Sequence, residues 1–213
     1  MLGMVESTTR GSEAPGYRLH PSLVEEVVVM DPLTQFDALV PAFQQLAVGT
    51  MPEQLDCQTP CEEWKVRDLF GHLIVGATTF AALVRGDEPP GDVETGPDAV
   101  MAAKAQAAVA DIDGAFRTPG ALDRVVATPF GEMPGDTFAR LLAFDLLMHS
   151  WDLAVATGRP LDVSEDVVTE VDGFTRAALA PEMRGPGAFG PEVEPSSGCS
   201  RLEGLVAFSG RKP

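Results

Sequence analysis

Residues 138–153 read Phe-Ala-Arg-Leu-Leu-Ala-Phe-Asp-Leu-Leu-Met-His-Ser-Trp-Asp-Leu, and apolar residues recur here at the spacing of an amphipathic helix. One face of this predicted helix contains positions 138, 142, 145, 149, 152 and 156. Its apolar members are Phe138, Leu142 and Ala156. Its polar members are Asp145, His149 and Asp152. A carboxylate in apolar surroundings is costly unless a partner compensates its charge, so this face predicts a paired polar site.

A divalent metal would be a suitable partner. Asp145 and His149 are four residues apart, which makes them neighbours on a helix surface. His72 lies at the edge of the apolar stripe of another predicted helix, where Gly76 allows a close approach. If the two helices pack together, His72, Asp145 and His149 can reach one point. Two imidazoles and one carboxylate suit zinc with one position left open, and they also suit iron, nickel or manganese.

The spacing of these residues also allows a site without metal. His149 could be a neutral core histidine hydrogen-bonded to Asp145 or Asp152, and His72 could be a half-exposed surface residue. Buried acid–histidine pairs occur as structural networks as well as in functional sites. Residue spacing alone leaves both interpretations open.

Composition limits the partners of the chain. With 213 residues and 45% hydrophobic residues, the chain is long enough for one domain with a real core. The net charge of −17 argues against nucleic acid and anionic membrane surfaces, and no uninterrupted apolar run suggests a membrane span. Three cysteines without an export signal favour the reducing cytoplasm. The sequence does not determine the oligomeric state, and a homodimer is one possibility.

Cys57 and Cys61 flank Pro60 just before a predicted helix. Packing at this loop-to-helix junction is favoured over a redox or metal pair. Two thiols without a nearby histidine cannot complete a closed zinc site with four ligands.

The chain divides into an N-terminal extension over 1–30, which we predict to be disordered, and a single domain over 31–213. Met1 and Met30 are both candidate start positions. Long helices are predicted at about 31–48, 62–85, 97–117, 136–157 and 164–180, with a short one at 201–208. Pro41 should kink or split the first helix. Residues 121–134 predict a strand or a short hairpin.

Long helices with short connections predict an all-α fold, an up-and-down bundle of four helices with peripheral C-terminal helices. Such bundles build metal sites from side chains on facing helices. The architecture therefore strengthens the prediction of a metal site.

Two blocks of the sequence resemble a known family. Residues 59–73, Thr-Pro-Cys-Glu-Glu-Trp-Lys-Val-Arg-Asp-Leu-Phe-Gly-His-Leu, and residues 145–158 are similar to two blocks of the mycothiol-dependent maleylpyruvate isomerase N-terminal domain family. That family belongs to the DinB/YfiT-like superfamily of four-helix bundles. The resemblance implies that His72, Asp145 and His149 bind a divalent metal, most commonly zinc. The isomerase has glutamate where this chain has the shorter Asp145, so ligand distance or metal preference can differ.

The isomerase also has an additional C-terminal domain, and we expect this chain to be a short form without it. The resemblance implies an enzyme that uses mycothiol or a similar low-molecular-weight thiol. A metal with an open position would deprotonate the thiol, which would attack a small electrophilic substrate as a transferase or isomerase. Asp152 would accept a hydrogen bond from His149 and orient its ring, or would serve only as a surface carboxylate. No catalytic or cofactor-binding residue is assigned.

Two alternatives belong to other classes. The first is a metal-holding bundle without catalysis, with a stress or interaction role. A weaker one is a non-haem iron oxygenase, which also uses two histidines and one carboxylate. Three protein ligands instead of four favour an open site and hence an enzyme.

Overall fold

The computed structural model describes residues 30–61, 63–179, 184 and 190–213. Six α-helices and a two-stranded sheet account for most of the regular structure in these segments. They are α1 (Pro32–Val48), α2 (Val66–Arg85), α3 (Asp98–Phe116), β1 (Val125–Thr128), β2 (Gly131–Pro134), α4 (Gly135–Thr157), α5 (Glu165–Ala178) and α6 (Arg201–Phe208). The predicted N-terminal extension lies outside the described residues except for Met30.

The predicted helices and hairpin are present, with three local differences. Pro41 lies inside α1, and the helix continues through it to Val48. Helix α2 begins at Val66 instead of near residue 62, because the Asp68 carboxylate accepts a hydrogen bond from the Lys65 backbone N–H at 2.9 Å and caps the helix there. The predicted loop over 50–60 contains a short 3₁₀ helix (Pro52–Asp56) that begins at a proline.

The order of helices in the bundle corrects the up-and-down prediction. Ion pairs join Arg67 to Asp98 and Arg85 to Asp111, so α2 and α3 run parallel. Helices α1 and α4 are also parallel, because Arg140 reaches the carbonyl of Met30 and Arg159 reaches that of Gln45. Helix α2 packs extensively on α3 and only sparsely on α4.

The prediction failed because the connection between α2 and α3 is longer than a turn. Helix α2 has 20 residues and is about 30 Å long. The segment 86–97 can span about 40 Å when extended, at roughly 3.3 Å per residue. It therefore returns the chain along the whole bundle, and α3 starts at the same end as α2.

The bundle core is rich in phenylalanine. Phe138 contacts Phe80 of α2 and Phe116 of α3, with ring centroids 5.2 and 6.0 Å apart, and Phe116 in turn contacts Phe36 of α1. Aromatic contacts thus join all four long helices at the end where α4 begins. Helices α5 and α6 pack against each other, and α5 also packs on α4.

Helix α2 is long and apolar enough, by length and composition alone, to cross a membrane. The core helix of a soluble bundle passes the same test. Because Leu69, Leu73 and Ala77 of α2 are buried in the bundle core, this is weak evidence for a span.

Two glycine-to-alanine substitutions should change stability in opposite directions. A Cβ atom at Gly135 would overlap the Ala121 carbonyl oxygen, whereas one at Gly114 in α3 would meet nothing within 4 Å. We expect Gly135→Ala to destabilise the fold by about 1–3 kcal/mol, because the backbone must shift. Gly114→Ala should stabilise it by about 0.5–1 kcal/mol, because alanine restricts the unfolded chain. Urea denaturation measures both, and a Gly135→Ala variant as stable as the parent would contradict this packing.

Candidate metal centre

Helices α2 and α4 bring together the three residues that the sequence singled out as metal ligands. His72 Nε2 lies 3.6 Å from Asp145 Oδ2, and His149 Nε2 lies 3.4 Å from Asp145 Oδ1. When one potential ligand atom is taken from each of the three residues, these three atoms lie within 4.8 Å of one another. The crossing of α2 and α4 creates this group, since His72 lies far from the other two in sequence.

The spacing of the donor atoms fits a small divalent ion. Zinc lies about 2.0–2.2 Å from nitrogen and oxygen ligands, so a tetrahedral arrangement separates the donors by roughly 3.4 Å. The separations of 3.4 and 3.6 Å run to different oxygens of Asp145, and with one ligand atom per residue the three atoms lie within 4.8 Å of one another, so a small adjustment of the side chains would bring them to that spacing. Two imidazoles and a carboxylate are also ligand types that zinc accepts.

The group is open on one side and closed on the other. The side chains of His72 and Asp145 are 38% and 32% exposed, whereas that of His149 is 7% exposed. An ion held by these residues would therefore face solvent beside His72 and Asp145. A structural zinc site is normally closed by four protein ligands, so this arrangement resembles an open site.

Trp64 forms a wall of the group. Its ring lies 4.9 Å from that of His72 and is stacked on that of His149 at 5.4 Å. The Thr59 backbone N–H and hydroxyl both donate to the Trp64 carbonyl, at 2.9 and 2.7 Å, and hold this residue before α2. Trp64 thus shields the imidazoles, and both Trp64 and Trp151 pack against the core.

Asp152 contacts the site through His149. Its Oδ2 atom lies 3.1 Å from His149 Nδ1, and the side chain is fully buried. A hydrogen bond donated from Nδ1 leaves Nε2 directed at Asp145 and free to bind a metal. This geometry agrees with the orienting role considered for Asp152 and not with a surface carboxylate.

Arg211 is a residue that the sequence analysis missed. From beyond α6 it donates to both carboxylate oxygens of Asp152, at 2.8 to 3.1 Å, and to the Ser209 hydroxyl at 3.1 Å. The guanidinium balances the charge of the buried Asp152 and fixes its orientation. No motif could have revealed Arg211, because it is 59 residues from its partner and belongs to no periodic pattern.

The protonation states are strongly perturbed. Burial alone would raise the pKa of Asp145, but the charges and hydrogen bonds of His149 and His72 outweigh it and hold this pKa well below its usual range. Burial favours neutral His149, but Asp145 and Asp152 outweigh it and raise the pKa of His149 to about 9. In the absence of a metal, these shifts favour a protonated His149 paired with the neighbouring carboxylates over the neutral histidine considered above.

The cysteines do not join this group. Cys57, Cys61 and Cys199 are free thiols. The metal-compatible group found within the described residues consists of the two histidines and Asp145. Burial is the largest influence on Cys61 and raises the pKa of its thiol, which agrees with the predicted packing role.

A family comparison decides the relationship of the chain. Residues 36–154, more than half of the chain, match the mycothiol maleylpyruvate isomerase N-terminal domain. The chain belongs to this family. Two uncharacterized proteins from two strains of Mycobacterium tuberculosis are each 35% identical over 187 residues, covering 85% of this chain and 98% of theirs.

Solved structures show the same fold. A crystal structure of the mycothiol-dependent maleylpyruvate isomerase matches with a TM-score of 0.54 and 18% identity. A histidine-to-alanine mutant of the isomerase matches with the same TM-score and 17% identity. Each match covers 65% of this chain and 65% of the isomerase, so the chain spans about two thirds of that enzyme's length. The likeness identifies the helical bundle, and the activity of the whole isomerase remains a separate question.

Proposed function

We propose that this protein is a metal-dependent enzyme that uses mycothiol or a similar small thiol. It would act on a small electrophilic substrate, either by transferring a group between the thiol and the substrate or by isomerising the substrate. The observation that supports this most is the donor group of His72, Asp145 and His149, which is open to solvent on one side. Membership of a family named after a mycothiol-dependent isomerase supports the choice of thiol. We propose zinc as the metal, with nickel, iron or manganese as alternatives, and the cytoplasm as the location.

Each residue of the site has a distinct task in this proposal. His72, Asp145 and His149 would hold the metal, which when bound favours the deprotonated form of a thiol at neutral pH. Asp152, held by Arg211, orients His149. The thiol proton leaves to solvent, since no general base is assigned.

The reaction is a nucleophilic attack by the thiol sulfur. A sulfur–carbon bond forms at the electrophilic carbon of the substrate. In a transfer, the leaving group departs with the electron pair of its broken bond. In an isomerisation, the electrons of a carbon–carbon double bond shift, the remaining single bond rotates, and the sulfur–carbon bond breaks again to return the thiol.

A groove of mixed polar and apolar surface beside Trp64 suits the body of the thiol. Trp64 and Gly71 border it on the side of the metal group, and Asp68, Thr95 and Asp98 supply hydrogen-bonding groups. A polar thiol lying in this groove would have its sulfur near His72.

Metal analysis followed by a thiol titration tests the proposal. We expect about one equivalent of a divalent metal per chain by elemental analysis. Mycothiol should bind to the metal-loaded protein in calorimetry, and removal of the metal with a chelator should abolish that binding. A protein that folds without metal and ignores the thiol would instead be a bundle with a structural or interaction role.

A further inference from the structure

A cavity inside the bundle reaches the metal group. It is a cleft between α2 and α4, and His72 and Asp145 form one end of its wall. Gly76 and Ala77 of α2 leave room for it because their side chains are absent or small. The cleft is narrow: its cavity volume is about 30 Å³, or about 390 Å³ when the open space at its mouth is included. The enclosed part has room for only about one or two water-sized groups, so a larger ligand would lie mainly in the open part of the cleft.

The wall of the cleft is apolar. All four long helices contribute side chains to it, among them Phe36, Phe80, Val109, Ile112 and Leu142. No lysine or arginine of the described segments lines it. An anionic group inside the cleft would thus lose its hydration without gaining an ion pair from the wall, which is costly.

An aromatic side chain outside the lining of the cleft lies next to its Phe80 end. Phe80 of the wall contacts Phe130 at the turn of the β1–β2 hairpin, with ring centroids 6.3 Å apart. The Phe130 side chain is exposed and adds apolar surface beside Phe80. The net charge of −17 further disfavours the approach of anions.

We propose that this cleft holds the uncharged, apolar body of the electrophile, with the reacting carbon toward His72 and Asp145. The inference rests on the proposed function and specifies its substrate class. It implies that this chain discriminates against dicarboxylates, because the apolar cleft offers no countercharge for a second carboxylate. Substrate and thiol would then approach the metal group from different sides, the substrate from the cleft and the thiol from the groove beside Trp64.

Two unreactive aromatic probes, one uncharged and one anionic, test this. 1,3-Dinitrobenzene is uncharged, and 3,5-dinitrobenzoate carries one added carboxylate. Ligand-observed NMR without thiol gives both dissociation constants, for the zinc-loaded protein and after removal of zinc with a chelator, because an open zinc position can itself bind a carboxylate. We expect the uncharged probe to bind the zinc-free protein at least tenfold more tightly. Equal or tighter binding of the anion to the zinc-free protein would overturn the proposal.

A cleft-filling variant locates the binding. Leucine at Gly76 begins from a Cβ position 3.7 Å from the Phe80 ring, an ordinary contact, and extends along the cleft wall. Gly76→Leu should weaken binding of 1,3-dinitrobenzene at least tenfold. Gly114→Leu is the matched control, since it places the same side chain on α3 in open space. Unchanged probe binding in Gly76→Leu, or an equal loss in both variants, would contradict binding in the cleft.

The probe-binding experiments on the cleft can succeed or fail independently of the metal and thiol test of the proposed function. Probe binding is measured without thiol, so the cleft can be confirmed even if the protein ignores mycothiol. Zinc content is determined for each variant alongside. The charge comparison uses the unaltered protein and does not depend on how well Gly76→Leu folds.

Discussion

Replacement of His149 by alanine should abolish tight zinc binding. His149 supplies one of three protein ligands, and its Nε2 atom lies 3.4 Å from Asp145 Oδ1. Loss of a residue that only orients a ligand typically lowers metal affinity about 10–100-fold, so we expect a loss of more than about 100-fold when the ligand itself is removed. Competition with a chromophoric chelator measures the zinc dissociation constant.

Companion variants separate metal binding from folding. His72→Ala should lower zinc affinity to a similar extent, and Asp145→Asn should do so while keeping the size of the side chain. His20, the third histidine, lies outside the described residues and belongs to no predicted site, so His20→Ala is the control with unchanged affinity. Circular dichroism verifies that each variant keeps its helices. Full zinc affinity in folded Asp145→Asn and His149→Ala would refute the metal site.

Phe138→Ala should cause a large loss of stability. The Phe138 side chain is fully buried and contacts Phe80 and Phe116, so it joins α4 to α2 and α3. Truncation of a buried phenylalanine leaves a cavity and costs about 3–5 kcal/mol. Since small domains are stable by only about 5–15 kcal/mol, this substitution should lower the urea midpoint strongly.

Phe130→Ala is the matched control for this prediction. Phe130 is 46% exposed at the hairpin turn and shares the neighbour Phe80. Its truncation should cost less than about 1 kcal/mol, because little buried surface is lost. Similar losses in both variants would mean that the packing of Phe138 is not as described.

Local signals in the sequence were sufficient for the helices. Helix α4 ends at Thr157, as predicted, and is followed by Gly158, which adopts a left-handed conformation with φ of 68°. Helix α5 begins after Ser164, close to the predicted start, and has Glu165 and Asp166 in its first turn, where acidic side chains interact favourably with the helix dipole. These features depend on neighbours within a few residues and can therefore be read from the chain alone.

The sequence also determined which residues form the candidate site. Asp145 and His149 stand out because a polar pair interrupts an apolar stripe at a spacing of four residues, and that spacing is a property of any helix. His72 stands out at the edge of a second apolar stripe. The role of these residues in metal binding remains a prediction, whereas their proximity follows from the crossing of α2 and α4.

Only the tertiary structure decided the direction of the helices and the surroundings of the site. The parallel pairing of α2 with α3 depends on the path of residues 86–97, for which local propensity carries no directional information. The contact between Arg211 and Asp152, the stacking of Trp64 on His149 and the apolar cleft all join segments distant in the chain. Such contacts arise from packing between whole elements, and neither periodicity nor spacing encodes which distant side chain will fill a given space.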